Sequence, residues 1–397
     1  MGIGLLRPLG ALCLLASLSF GQEDLSQARK ALKETPVAGQ RFSAEVAREA
    51  RDLSLEWLLD QQREDGSWAW GAMDSLQETF FNVETFYAWK LASHAIVCMA
   101  LLQVEPSPRV EQSLERALDY LCSTRSPKRG NDWDIDYTWG ALYAYVACTE
   151  AAADARFGPA PWSARLRSAG ERYLGILLKL QTPFGGWAYY DDPIFSQRPK
   201  WDTSFCTAMV LPALEFGLQA GWLEDRAVLE RAQRYVERCA LPNGAYTYSL
   251  RPIPRISGGE SINRIKGSLS RIQVCNWGLA KTGIKKITEE RVREGLGQFM
   301  QHHRFLDAAR MRPIPHEAYY ANAGYFYMFG HYYAAEAIGL LPEEEREDWH
   351  AQLRPHLLRA QNKDGASVDF LNSSYDKVAC TAYLVLGLTL GLPSVDE

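Results

Sequence analysis

The sequence lacks an excess of charge of either sign. Its 397 residues hold 43 Lys and Arg against 48 Asp and Glu, a net charge of −5. That excludes a general attraction to nucleic acid or to an anionic membrane, and any anion site must be local. No segment of useful length alternates apolar and polar residues, which argues against a β-sheet protein. Also missing are a P-loop, a Rossmann glycine fingerprint, an HExxH pair, a CxxC pair and a GxSxG nucleophile elbow. With them go the common nucleotide-binding, zinc-protease and serine-hydrolase chemistries, and neither a cofactor nor a metal is expected. Gly (30) and Pro (19) are near average and 47% of residues are hydrophobic, so the chain is neither disordered nor collagen-like. After the N-terminus no run is read as a membrane span.

What is present begins with a leader. A short basic-ended segment, Met1 to Arg7, precedes an apolar stretch from Pro8 to Phe20, with Ser19 and Gly21 as the small residues of a cleavage site. Residues 1–21 therefore read as an export signal, which implies a periplasmic or extracellular protein. Residues 22–43 read as a poorly ordered extension, and 44–397 as one domain. Of the eight cysteines, Cys13 leaves with the signal. Cys98, Cys148, Cys206, Cys275 and Cys380 sit in apolar helical runs, as buried free thiols do. Cys122 and Cys239 end two other helices.

An internal repeat organises the rest. Gln62, Gly66 and Trp68 follow an apolar helix, and Gln181, Gly185 and Trp187 follow another in the same register. Gln361 and Gly365 repeat the pattern with Ser367 in place of the aromatic, and Gly244 with Tyr246 is a fainter copy. The glycines are separated by one or two units of about sixty residues, so about six units fill the chain. Degenerate copies belong near 126 and 305. Each unit also holds a second run (87–102, 134–151, 201–217, 270–283, 323–340 and 375–390) that is apolar on most faces. Partner runs such as 109–122 and 225–238 are amphipathic and charge-laced, as outer helices are. Inner and outer helices in alternation predict an all-α (α/α)6 toroid, although an open superhelical solenoid satisfies the same pattern.

Gln-x3-Gly-x-Trp after an apolar helix resembles the QW repeat of squalene cyclases and the related repeat of protein prenyltransferase β-subunits. The resemblance extends over essentially the whole domain and implies the toroid fold, with Gln62, Trp68, Gln181 and Trp187 as structural residues. Asp134-Ile135-Asp136-Tyr137-Thr138 is similar to the DxDDT acid motif of squalene-hopene cyclases, with Tyr137 departing from the third aspartate. The resemblance makes Asp136 the acid that protonates an alkene, supported by Asp134 and Thr138. Such an acid must stay neutral yet poised in a dry pocket. The carbocation it creates needs aromatic faces, which Trp89, Trp139, Tyr143, Phe205, Trp277, Tyr325 and Tyr327 offer from inner runs. The competing reading is that Asp136, Asp202 with Thr203, and Asp376 are simply helix N-caps.

Zinc-dependent prenyl transfer is not expected: His331 lies in a run loosely like the one carrying that family's zinc histidine, but Cys275 has no Asp-x-Cys context. Asp191-Asp192-Pro193 is not the aspartate-rich motif of ionising terpene synthases and reads as a turn. A long loop, 241–265, carries Arg251, Arg255 and Arg264, followed by Lys266, and reads either as an anion clamp over one mouth of the ring or as a solvated loop. Polar inner residues are numerous: His94, Asp136, Asp202, Arg271, Gln273, His331, Asp376 and Lys377. They leave a second possibility open, a polar glycan or peptide in the central cavity rather than a small isoprenoid, with polysaccharide processing or non-catalytic binding as its function. The oligomeric state is not legible.

Overall fold

The computed structural model describes residues 24–69, 83–129, 136–189, 201–250, 262–370 and 374–393. Among them the chain runs through α1 (Leu25–Glu34), α2 (Ala44–Asp60), α3 (Val83–Gln103), α4 (Pro108–Ser123) and α5 (Tyr137–Ala153). It continues through α6 (Trp162–Leu180), α7 (Ser204–Gln219), α8 (Arg226–Cys239), α9 (Leu269–Lys281) and α10 (Glu289–His302). The short α11 (Arg304–Asp307), then α12 (Phe326–Ile338), α13 (Glu343–Ala360) and α14 (Ser374–Thr389) complete it. In place of strands, the described residues show three isolated bridges, two of which clamp repeat turns (Ala240 to Tyr246 and Gln361 to Ser367).

The six apolar runs are the inner helices α3, α5, α7, α9, α12 and α14. Each packs on the next, and α14 packs on α3, so the ring closes. The open solenoid is excluded. Helices α2, α4, α6, α8, α10 and α13 stand behind the inner ones, and α13 meets α2 to close the outer ring as well. α3 is long and apolar enough, at 21 residues and mean hydropathy 1.3, to span a membrane by length and composition alone. It is 78% buried inside the protein, as a core helix is.

The repeat turns join neighbouring outer helices. The Trp68 indole N–H donates to the Leu58 carbonyl and the Trp187 indole to Leu177, both at 2.7 Å, so each ring folds back over its own helix. The Gln62 amide donates to Gly66 O (3.0 Å) and, across to α4, to Ser113 O (2.9 Å). Gln181 repeats this with Gly185 O and Val228 O, both at 2.9 Å. Gln361 reaches Ala50 O in α2 at 2.6 Å, which ties the last unit to the first. The glycines take left-handed φ values of +81° at Gly66, +105° at Gly185 and +90° at Gly365. A Cβ there would lie 2.4 Å from the carbonyl oxygen of Arg116, Arg231 and Leu53 respectively, on the next outer helix. Inner helices secure the turns from within: the Trp187 N–H donates to Thr207 Oγ1 and the Ser367 N–H to Thr381 Oγ1.

Residues 24–43, which read as a loose extension, contain α1. Asp24 caps it, Ala28 is buried, and Arg29 donates to the Gln361 side chain (2.7 Å) and the Asn362 carbonyl (3.0 Å). The amphipathic face of α1 finds a partner in α13 that local sequence could not supply. The seven cysteines among the described residues are all free, Cys122 and Cys239 included.

Replacing Gly185 by Ala forces both a strained φ and a backbone clash, and is expected to cost about 1–3 kcal/mol. Gly297→Ala in α10, with nothing within 4 Å of the added carbon, is expected to stabilise by about 0.5–1 kcal/mol. Urea denaturation of the two variants checks the contrast.

Candidate functional site

Because every outer helix is followed by an inner one, the inner helices run the same way and their N-terminal halves surround one mouth of the ring. There a cavity of about 470 Å³ is lined from α3, α5, α7, α12 and α14 and from the segments 313–316 and 369–370. Its size lies within the range usual for small-molecule sites, about 300–1,000 Å³.

The walls are largely aromatic. Trp139 stacks on Tyr189 (centroids 5.8 Å apart, planes 6° apart) and on Tyr143 (5.4 Å). Phe205 joins Trp139 (6.1 Å) to Phe326 (5.2 Å), and Trp89 meets Tyr375 edge-on at 5.7 Å. At depth the hydroxyls of Tyr383 and Tyr143 share a hydrogen bond of 2.5 Å.

Asp136 opens onto this cavity from the start of α5. Its φ of +62° is left-handed, which aspartate tolerates better than most side chains, and its carboxyl makes no cap hydrogen bond. The N-cap reading of Asp136 therefore fails on geometry. Removal from bulk water pushes its pKa up to about 7, against which the Trp89 indole N–H, 3.3 Å from Oδ2, works in favour of the carboxylate. At neutral pH a substantial part of Asp136 carries its proton.

Asp369 and Asp376, which line the same cavity, form a carboxyl pair. Asp369 is 1% exposed, and its Oδ2 accepts the Met328 N–H at 2.7 Å. Asp376 Oδ2 accepts the N–H groups of Asp369 (3.1 Å) and Phe370 (2.9 Å), while the Cys380 thiol donates to Oδ1 at 3.3 Å. Burial first, and then the Asp376 charge, holds Asp369 toward its protonated form, while burial alone raises Asp376 against the hydrogen bonds from Asp369 and the Phe370 N–H that favour its carboxylate. His316 also lines the cavity; its Nδ1–H donates to Ala321 O (2.7 Å), which leaves Nε2 to accept the Tyr325 hydroxyl at 3.0 Å. Burial lowers the His316 pKa, so the ring is neutral.

Of the residues singled out from sequence, the cavity gathers Trp89, Asp136, Trp139, Tyr143, Phe205, Tyr325 and Asp376. Others are structural or elsewhere. Thr138 is buried beside the site, with its N–H on the Tyr189 carbonyl. His94 is buried and neutral, donating from Nε2 to Ala117 O at 3.0 Å. Asp202 accepts the Thr182 hydroxyl beneath a repeat turn. Arg271 is buried, donates to the Ile262 carbonyl and lies 5.3 Å from the Tyr248 ring centre, and it is not among the residues that line the cavity. His331 bonds His303 at 2.8 Å behind the cavity wall, and Tyr327 is buried with its hydroxyl on the His356 carbonyl.

Trp277 belongs to a second cavity of about 430 Å³ at the opposite mouth, where its indole N–H donates to Glu336 at 2.8 Å. Glu150 in the same cavity is pushed up to about 8 by burial and then by the Glu336 charge. Lys266 sits over the Phe305 and Tyr320 rings, 5.3 and 5.4 Å from their centres, and Arg264 is exposed. Asp134, Arg251, Arg255 and the export signal lie outside the described residues.

Asp369, Tyr189, His316 and Cys380 were missed. For two of them the repeat held the signal: Tyr189 and Asp369 each stand four residues beyond a turn glycine, Gly185 and Gly365. Tyr248, in the same place after Gly244, bonds the Tyr189 hydroxyl at 3.0 Å.

No protein-family model and no curated protein matches the sequence. Solved structures match the fold. The GH76A α-1,6-mannanase of Salegentibacter sp. HEL1_6, an inactive variant with two aspartates replaced and in complex with α-1,6-mannotetrose, is 11% identical, with 87% of this chain and 98% of that chain covered and a TM-score of 0.57. The Lin0763 protein from Listeria innocua is 11% identical over 87% and 96% of the two chains, TM-score 0.53. Type II terpene cyclase MstE from Scytonema is 13% identical over 88% and 98%, TM-score 0.49. At these identities the likeness to the mannanase and to Lin0763 establishes the fold alone, an all-helical toroid.

A carboxyl whose folded pKa is raised contributes stability that is complete below its unfolded pKa and lost as pH rises through the folded one. Melting temperatures of the wild type are therefore expected to fall, relative to Asp136→Asn, between about pH 4 and pH 7. The comparison isolates Asp136 from Asp369, Asp376 and Glu150, which shift in the same direction. A difference that stays flat across that window means that Asp136 is solvated.

Proposed function

We propose that the protein is an isoprenoid cyclase-like enzyme in which Asp136 starts the reaction by protonating an alkene. The observation that carries this reading is a carboxyl held toward its neutral form and opening directly onto an aromatic cavity. The Asp136 proton goes to one alkene carbon and the positive charge appears on the other. The carboxylate and the cation then form together in a low dielectric, where their attraction offsets much of the cost of creating them. Trp89 donates to the carboxylate left behind. Trp139, Tyr143 and Phe205 present ring faces to the cation, each worth about 0.5–2 kcal/mol, while a neighbouring double bond closes the ring. Neutral His316 is the group on the wall able to take the final proton.

The sequence resemblance to squalene cyclases supports this assignment. A glycan, the alternative left open by the polar inner residues, fits these walls less well. Each hydroxyl buried against an aromatic surface without a partner costs about 1–3 kcal/mol. Export, with a mature N-terminus near Gln22, belongs to the same proposal and is checked by N-terminal sequencing of the secreted chain.

The test is turnover of linear polyprenes beside α-linked mannooligosaccharides. Wild type is expected to cyclise a polyprene, with a rate that falls as pH rises through about 7. Asp136→Asn, which accepts the same left-handed backbone, is expected to lose at least about 10²-fold in rate with its melting temperature changed by only a few degrees. Undiminished turnover in that variant removes Asp136 as the acid. Cleavage of the mannooligosaccharide alone reassigns the site to glycans, and binding without turnover makes the ring a receptor.

A further inference from the structure

Asp369, Asp376 and Cys380 are more than a polar spot on the cavity wall. One ligand atom from each lies within 4.8 Å of the other two. All three residues line the cavity. Asp369, 1% exposed, has an oxygen, Oδ1, buried and without a hydrogen-bond partner, although its other oxygen is held by the Met328 N–H. An orphaned carboxylate oxygen at that depth is costly unless something satisfies it. Asp376 is fixed in the same manner, with Oδ2 on two backbone N–H groups and Oδ1 toward the Cys380 sulfur. The backbone thus pins one oxygen of each carboxylate and leaves the other for the common centre, the kind of outer support that orients metal ligands.

We propose that Asp369, Asp376 and Cys380 bind one divalent transition-metal cation of the zinc class at the cavity wall. Two carboxylate oxygens and a thiolate match the donor set and number of an open zinc-type site, with the fourth position facing the cavity. Its natural occupant is an oxygen of the bound molecule, a hydroxyl or carboxylate at the end of an otherwise apolar ligand. Burial drives the three groups toward their protonated forms, joined at Asp369 and Cys380 by the charge of the neighbouring carboxylates, and a cation that displaces those protons relieves it.

The experiment is titration of the chelator-stripped full chain with Co2+, followed by the near-ultraviolet thiolate-to-cobalt charge-transfer band. One equivalent is expected to bind and to produce the band. Cys380→Ser is expected to abolish it, and Asp369→Asn to weaken binding by about 10-fold or more. If Cys380→Ser does not fold, calorimetric titration of Asp369→Asn and Asp376→Asn with Zn2+ carries the same comparison. Absence of the band, or a band unchanged in Cys380→Ser, overturns the proposal and leaves the cluster as carboxyls sharing protons. Asp136→Asn is expected to bind Co2+ as the wild type does, so loss of the cyclisation reading and loss of the metal site are read separately.

Discussion

Everything in this molecule depends on the contact between α14 and α3 that shuts the ring. Each inner helix is apolar on nearly all faces, so it must be covered on both flanks, and an open array would leave two helices half wet. Fully burying a Leu or Val is worth about 1.5–3 kcal/mol, and α3 and α14 each hold several such residues. The outer ring repeats the closure, where Gly365 rests on the Leu53 carbonyl and Gln361 bonds Ala50. A turn that allows so close an approach of two backbones accepts only glycine. The sixty-residue period is this requirement repeated around the circle.

Closure has an electrostatic consequence. The centre of the ring is screened from water by two layers of helix, so any carboxyl placed there resists ionisation. The two mouths show it in parallel, with Asp136, Asp369 and Asp376 at one and Glu150 and Glu336 at the other. Tyr143 lines the first cavity and Val146, one turn further along α5, lines the second, so the two share a floor. Toward the first cavity point the N-terminal ends of the inner helices, whose partial positive charge favours a carboxylate. Burial outweighs that effect at Asp136. The result is a set of carboxyls held toward their protonated forms among aromatic faces.

The helices of the two rings, their inner or outer station, and the glycine turns were legible in the sequence, because they follow from local patterns: full apolarity, amphipathicity and a repeated Gln-Gly-Trp spacing. The position of Asp136 at the head of an inner helix was legible too. Trp277 shows the limit. It stands on an inner helix like Trp139, but nearer the C-terminal end, and axial position decides which of two cavities a side chain joins. His94, His331 and Arg271 show another limit. Each looked like a lining residue, yet each turns into the helix layers and bonds a neighbour there. Whether a buried polar residue serves a ligand or a carbonyl is set by partners more than twenty residues away for the two histidines.

By itself the sequence determined an all-helical array of alternating inner and outer helices, since hydrophobic period and turn glycines are properties of neighbouring residues and survive without knowledge of distant ones. Only the tertiary structure decided that the ring closes, that Asp136 opens onto a cavity, and that Asp369 meets Asp376 and Cys380. Those outcomes rest on distances between segments far apart in the chain and on the exclusion of water from the space between them. Neither quantity exists until the helices have packed.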